Sequence, residues 1–236
     1  MSYWEDFWKD YRKKDIKNED DLFYQVGKTF QKMPISAHAF DKIINDIIVS
    51  LQLEKEDVLM EICCGNGLIT KKLSEKCKYI YAFDFTEHLI ATAQEFKSAD
   101  NIVYKTGNAK ENFFNLFDFK NKPNKFLLND SLAYFEPFEL HAMIDCIQKQ
   151  NSDFVFYVTN IPSDERKYHF YNTPERVQFY EEKQRQGDIS NNGMGRWWTE
   201  QELITIANDL NISYKIQIPD TEITNFRINI LFYSDK

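Results

Sequence analysis

The segment Glu61-Ile62-Cys63-Cys64-Gly65-Asn66-Gly67 has the residue types and spacing most suited to chemistry. Glycines two apart free the backbone to take dihedrals that other residues avoid, and they let a ligand lie against main-chain N–H groups. The apolar run before them reads as a strand. Leu68-Ile69-Thr70 after them opens a helix, whose N-terminus favours negative charge. A nucleotide-like or amino-acid-bearing ligand is expected there. Asp84 stands 17 residues past Gly67, with Phe85 beside it, at the end of the next apolar run. An acid at that edge accepts both hydroxyls of a ribose. A dinucleotide fingerprint would place glycine where Thr70 stands, which disfavours a nicotinamide or flavin reading.

Of the four histidines, two lie where a general base would be useful. His141 comes early in a helical stretch just after Asn129-Asp130-Ser131, and His169 falls in a long insert. Arg166, Arg176, Arg185 and Arg196, in and around that insert, are a set that would clasp an anion. The four cysteines, Cys63, Cys64, Cys77 and Cys146, have neither C-x-x-C nor zinc-finger spacing, so neither a metal site nor a disulfide framework is indicated.

The elements that must hold these groups alternate short apolar runs with longer amphipathic ones, the pattern of an α/β fold with a parallel sheet. Seven strands are expected: Val58 to Cys63, Tyr79 to Asp84, Ile102 to Thr106, Lys125 to Asn129, Phe154 to Thr159, Ile212 to Ile218 and Phe226 to Tyr233. Helices are expected over Leu68 to Cys77, Glu87 to Phe96, Pro137 to Gln150 and Thr199 to Leu210. The last opens on a capping box, with Thr199 at the N-cap and Glu202 three residues on. About seven residues join the last two strands, too few for a parallel crossover, so they should be antiparallel. One domain is expected over 1–236: an N-terminal helical cap (1–54), a cofactor-binding half (55–159), a lid insert (160–198) that holds a second glycine cluster at Gly187, Gly193 and Gly195, and a C-terminal helix and hairpin (199–236). In the cap, Phe40, Ile43, Ile44, Ile47, Ile48 and Leu51 recur at a spacing of three and four, one face of a helix.

Composition bounds the answer. The chain has 236 residues, 43% hydrophobic and 16% aromatic, enough to bury a core and to exclude a disordered or disulfide-stapled chain. No run approaches the ~20 apolar residues of a membrane span. The opening Met1-Ser2-Tyr3-Trp4-Glu5-Asp6 carries acids where a signal peptide is basic, so the chain reads as cytoplasmic, with no membrane partner. A net charge of −8 argues against broad contact with a nucleic-acid backbone, and no nucleic-acid partner is expected. Nothing in the sequence sets an oligomeric state.

The motif resembles the first motif of the class I S-adenosylmethionine-dependent methyltransferases, an acid followed by x-G-x-G-x-G. Here the match is Glu61, then Cys63 in place of the first glycine, then Gly65 and Gly67. The resemblance covers roughly residues 55 to 235. It implies a Rossmann-like, seven-stranded, mostly parallel sheet with an antiparallel last strand and helices on both faces. It implies S-adenosylmethionine as cofactor, Asp84 on the ribose, Asn108 and Ala109 after the third strand at the adenine, and Asn129 over the reacting centre. Asn108 keeps a carbonyl but lacks the family's acid. Residues 21–29 with Pro34-Ile35-Ser36, the Arg196-Trp197-Trp198-Thr199 stretch and 226–231 are similar to bacterial small-molecule methyltransferases of surface-polysaccharide and secondary-metabolite pathways. In those an N-terminal segment closes over the cofactor, which implies contacts from Gln25, Lys28 and Thr29. The implied activity is O-methylation of a small anionic or sugar-like acceptor in capsule biosynthesis. A nucleic-acid or protein methyltransferase and a non-catalytic cofactor-binding member share this fold. Enzymes that methylate amino groups of DNA carry N/D-P-P-Y/F/W where this chain has Asn129-Asp130-Ser131-Leu132.

Overall fold

A computed structural model of the chain describes residues 3–11, 15–186, 194–219 and 224–234. Gly187 and Gly193 of the second glycine cluster lie outside the described residues. The chain divides into two compact units, Met1–Leu127 and Leu128–Lys236. A seven-stranded, mostly parallel sheet has the order β5-β4-β3-β6-β7-β9-β8. Its strands are β3 (Val58–Ile62), β4 (Tyr79–Asp84), β5 (Ile102–Thr106), β6 (Lys125–Asn129), β7 (Val155–Pro162), β8 (Ser213–Gln217) and β9 (Arg227–Tyr233). Among the described residues no helix is long and apolar enough to cross a membrane.

The first unit begins with α1 (Tyr3–Asp10) and α2 (Glu19–Gln25). Asn18 starts α2 by a reciprocal cap: its Oδ1 accepts from Asp21 N–H at 3.1 Å and Asp21 Oδ2 accepts from Asn18 N–H at 3.3 Å. A small hairpin of β1 (Thr29–Phe30) and β2 (Met33–Pro34), too short to leave a period in the sequence, then turns through Gln31 and Lys32, both at positive φ. Next comes α3 (Ala37–Leu51), with Ser36 as N-cap and Phe40, Ile44, Ile47 and Leu51 buried as its spacing predicts. All five residues of β3 are buried, as befits a strand covered on both faces. β3 runs parallel to β4, and β4 to β5, with α4 (Leu68–Leu73) and α5 (Glu87–Phe96) as the first helices of the crossovers. Expected to reach Cys77, α4 stops at Leu73. Phe83 and Phe113 stack at 5.4 Å, and Tyr81 packs edge-on to Phe117 at 5.2 Å, closing the core beneath the strands.

The second unit holds α6 (Pro137–Gln150), β7, α7 (Pro174–Arg185), α8 (Glu200–Asp209), β8 and β9. β9 is antiparallel to both β7 and β8. The capping box of α8 is present, with Thr199 Oγ1 accepting from Glu202 N–H at 3.2 Å and Glu202 Oε2 accepting from Thr199 N–H at 2.9 Å. β7 outruns the expected Thr159 because β9 continues to pair with it, Ile161 against Ile228 and Pro162 against Arg227, past a bulge. The insert after β7 leaves and returns at one place. Trp198 N–H donates to Pro162 O and Asp164 N–H to Trp198 O, both at 2.8 Å. The fully buried Trp198 indole donates to Leu132 O at 3.1 Å.

Candidate functional site

At the carboxyl end of β3 the chain breaks from the strand at Cys63, whose φ is +57°. The expected strand therefore ends one residue early, at Ile62. Cys63 stands in the left-handed conformation that the missing glycine would favour, at a steric cost of about 1–2 kcal/mol. Glycine in turn loses more entropy on folding. Cys63→Gly is accordingly expected to change stability by no more than about +1 kcal/mol, while the β-branched Cys63→Val should destabilise clearly. Urea unfolding midpoints would measure both.

Cys64 N–H donates to Phe83 O at 3.0 Å, and Gly65 and Gly67, at φ +57° and +74°, then turn the chain into α4. A Cβ on Gly67 would lie 2.5 Å from the Tyr104 hydroxyl and 3.1 Å from Ala93 Cβ, so this glycine also lets α4 seat against its neighbours.

Asp84 ends β4 and is 6% exposed, a buried anchor rather than a solvated acid. Its Oδ2 accepts from Gly65 N–H at 3.0 Å and its Oδ1 from Thr86 N–H at 2.9 Å. Burial pushes the carboxyl up, against these two N–H bonds, which favour the ionised form. The carboxylate is thus fixed in rotation, with one further lone pair on each oxygen. Gly107 N–H donates to Asp84 O at 3.0 Å, which draws the turn after β5 to the same edge. There Ala109 is buried, and Asn108 Oδ1 accepts from Lys110 N–H at 3.0 Å, so the carbonyl expected to face adenine already serves a local turn. Beside Asp84 a cleft of about 480 Å3 is lined by Lys9, Phe85, Thr86, Glu87, His88 and Ala91.

Glu61 lies one residue back from the end of β3 and is 2% exposed, with Oε2 lacking a hydrogen-bond partner. Burial raises its pKa to about 7, against the lowering effects of the nearby Thr70 hydroxyl and the Lys28 charge. Thr70 Oγ1 does not reach hydrogen-bonding geometry with it. A proton held in the folded chain up to about 7 but lost near 4.5 when unfolded stabilises the fold fully below 4.5. That stabilisation is lost as the pH rises through 7, by roughly 3 kcal/mol at 1.36 per unit. The unfolding midpoint should fall between pH 5 and 7.5, and Glu61→Gln should flatten that slope.

Gln25 is buried, with Oε1 accepting from Asn66 Nδ2 at 2.9 Å and Nε2 donating to Thr92 Oγ1 at 3.2 Å. Asn66 Nδ2 also donates to Leu22 O at 2.9 Å, so α2 is tied to the glycine turn. Lys28 is buried and acts electrostatically on Glu61, and Thr29 lies half-buried in β1. Sequence reading passed over Asn66 and Thr92, although the place of Asn66 between the two glycines was a signal.

In the second unit Asn129 Oδ1 accepts from the Thr159 hydroxyl at 2.8 Å. Asp130 follows at φ +57°, and its Oδ1 accepts from Arg227 Nη1 at 2.7 Å. His141 is half-buried on α6, and His169 is exposed at the end of a short turn. The arginines expected to clasp an anion are occupied. Arg196 pairs with Glu136 and Glu202, Arg166 donates to Asn225 O, Arg176 to Phe170 O and Arg185 to Glu181 O. Among the described residues no group of three or more His, Cys, Asp or Glu is clustered as metal ligands.

Residues 40–162, just over half of the chain, match the family described as "Ribosomal RNA adenine dimethylase". A ribosomal RNA small subunit methyltransferase A from Clostridium acetobutylicum is 32% identical over 74 residues, 31% of this chain and 27% of the relative. The chain spans less than half the length of the curated relatives first matched. Among solved structures, magnesium protoporphyrin IX methyltransferase from Synechocystis PCC 6803 with bound SAH has a TM-score of 0.58 at 14% identity, covering 99% of this chain and 95% of that one. The N-methyltransferase NodS from Bradyrhizobium japonicum WM9, in complex with S-adenosyl-L-homocysteine, has a TM-score of 0.57 at 14% identity, covering 83% and 87%. The fold is that of the class I S-adenosylmethionine-dependent methyltransferases, and the chain belongs to the ribosomal RNA adenine dimethylase family.

Proposed function

We propose that the chain transfers a methyl group from S-adenosylmethionine to oxygen of a small anionic or sugar-like metabolite, in surface-polysaccharide synthesis. The observation that carries the cofactor assignment is the buried Asp84 carboxylate, fixed by Gly65 and Thr86 N–H at the edge where β3 opens into the glycine turn. The donor set suits the group. Asp84 accepts ribose hydroxyls, the Gly65–Gly67 turn admits a ligand against the backbone, and Phe85 lines the cleft beside Asp84. The unpartnered Glu61 oxygen places an acid beneath the turn for the cationic amino-acid end.

When bound, the sulfonium supplies an electrophilic methyl for in-line displacement. The chain's own part is to position the acceptor oxygen and exclude water, with a base needed only if the acceptor is a hydroxyl. His141 and His169 are the candidates for that base. The small-molecule reading is favoured over nucleobase methylation by one observation. Asp130 stands at φ +57°, a conformation proline cannot take, so the N/D-P-P-Y/F/W geometry is absent there. The family match keeps adenine of ribosomal RNA as the second reading.

Calorimetric titration with S-adenosylmethionine and S-adenosylhomocysteine, with NAD as comparator, tests the cofactor. Micromolar binding is expected, and a preference for NAD would refute it. Binding below pH 7 should release protons as Glu61 ionises, seen as a heat that changes with buffer ionisation enthalpy and is lost in Glu61→Gln. Methyl transfer to nucleotide-linked sugars and phosphorylated metabolites, against unmodified ribosomal RNA, separates the two acceptors.

A further inference from the structure

We propose that Arg227, with Trp197 and Thr224, forms the site that holds the anionic oxygens of the methyl acceptor, a small carboxylate or phosphate compound. This rests on the methyltransferase reading above. Arg227 opens β9, and its Nη1 donates to Asp130 Oδ1 and to Asn160 O, both at 2.7 Å. Asp130 and Asn160 both stand at φ +57°, and Asp130 N–H donates to Thr159 O at 3.2 Å, which sets the ends of β6 and β7 side by side. Non-glycine residues held in that conformation concentrate at functional sites. Ligands of open α/β sheets bind at this carboxyl edge.

The guanidinium is thus fixed through one nitrogen, while its Nε is buried without a partner. Three more buried polar atoms, on the adjoining turn and the neighbouring aromatic residues, are in the same condition: Thr224 Oγ1, Trp197 Nε1 and Tyr171 Oη. The indole lies close enough to Tyr171 to influence its titration, yet neither atom reaches hydrogen-bonding geometry. They share one aromatic cluster. Trp197 lies 5.5 Å from Tyr171 and 5.9 Å from Phe226, whose ring carries the Arg227 guanidinium at 5.3 Å. Thr224 O accepts from Arg227 N–H at 2.9 Å.

All four atoms can donate, and two of them, the indole and guanidinium N–H, can do nothing else. Buried donors without acceptors are rare in folded chains, and an ordered water or a ligand supplies the missing acceptor. A donor set of this kind, walled by aromatic rings, complements the oxygens of a carboxylate or phosphate. Charge agrees. Asp130 offsets Arg227, but Arg166 brings a second guanidinium to the same turn, donating from Nε to Asn225 O at 2.7 Å. Two guanidiniums beside an aromatic wall suit the one or two charges of a small anion.

The test is titration of the full chain with inorganic phosphate followed by 31P NMR at constant ionic strength, with acetate as competitor. The chains are wild type, Arg227→Gln, Arg227→Lys, Trp197→Phe and the surface control Lys215→Gln. Saturable millimolar binding is expected, weakened about tenfold or more in Arg227→Gln and several-fold in Arg227→Lys and Trp197→Phe. It should be unchanged in Lys215→Gln, with S-adenosylmethionine binding held within about twofold throughout. If loss of the Asp130–Arg227 ion pair unfolds Arg227→Gln, the lysine and phenylalanine variants decide. Equal phosphate binding in wild type and variants, or none in wild type, overturns the site. Loss of S-adenosylmethionine binding in wild type would instead refute the methyltransferase reading. An oligoribonucleotide bound through Arg227 far more tightly than phosphate would assign the site to RNA and overturn the small-molecule proposal.

Discussion

Asp84→Ala is expected to weaken S-adenosylmethionine binding at least about a hundredfold, since each hydrogen bond to a charged group is worth about 1.5–3 kcal/mol and two ribose hydroxyls lose theirs. The same change strips Gly65 and Thr86 N–H of their acceptor, so the turn loosens as well. Asp84→Asn separates the two effects. Its carbonyl can serve one N–H, but its amide must face the other, so affinity should fall nearly as far while the melting temperature drops less. Calorimetry and thermal unfolding on the same samples make the distinction. Near-native affinity in Asp84→Ala would reduce this residue to a backbone anchor.

Trp198→Ala should cost the second unit about 3–5 kcal/mol, the usual range for truncating a buried tryptophan. Trp198 is fully buried, and its main chain and indole together hold three bonds, to Pro162 O, to Asp164 N–H and to Leu132 O. Trp198→Phe keeps most of the volume and loses the indole bond alone, an expected cost of about 1–2 kcal/mol including the stranded carbonyl. Denaturant unfolding measures both. Equal costs would mean that the hydrogen bond, not the packed ring, holds the insert to the sheet.

The periodic elements were legible because burial on one or both faces leaves a repeat in the sequence. The spacing of α3, the Thr199–Glu202 box and the antiparallel last pair could all be read directly. The early end of β3 was not, because Cys63 continues the apolar run and only its place at the motif's first glycine hints at a positive φ. Of the site, the glycine turn and Asp84 stood out by type and spacing. The tertiary partners did not. That Gln25 faces Asn66 and Thr92 depends on chain brought together from residues 41 and 67 positions away. Arg227 was passed over because the pull of Asp130, 97 residues earlier, has no local mark.

The place of β9 between β7 and β8 governs the order in which the chain can assemble during synthesis. β8 is made before β9, yet among the described residues its one neighbour in the sheet is β9. Until that last strand arrives, β8 has no ladder to join and β7 keeps an open edge, which is the template for wrong pairing with another chain. Native-like protection of β8 should therefore switch on late and all at once, and chains truncated just before Arg227 and released from the ribosome should be the ones that most need a chaperone.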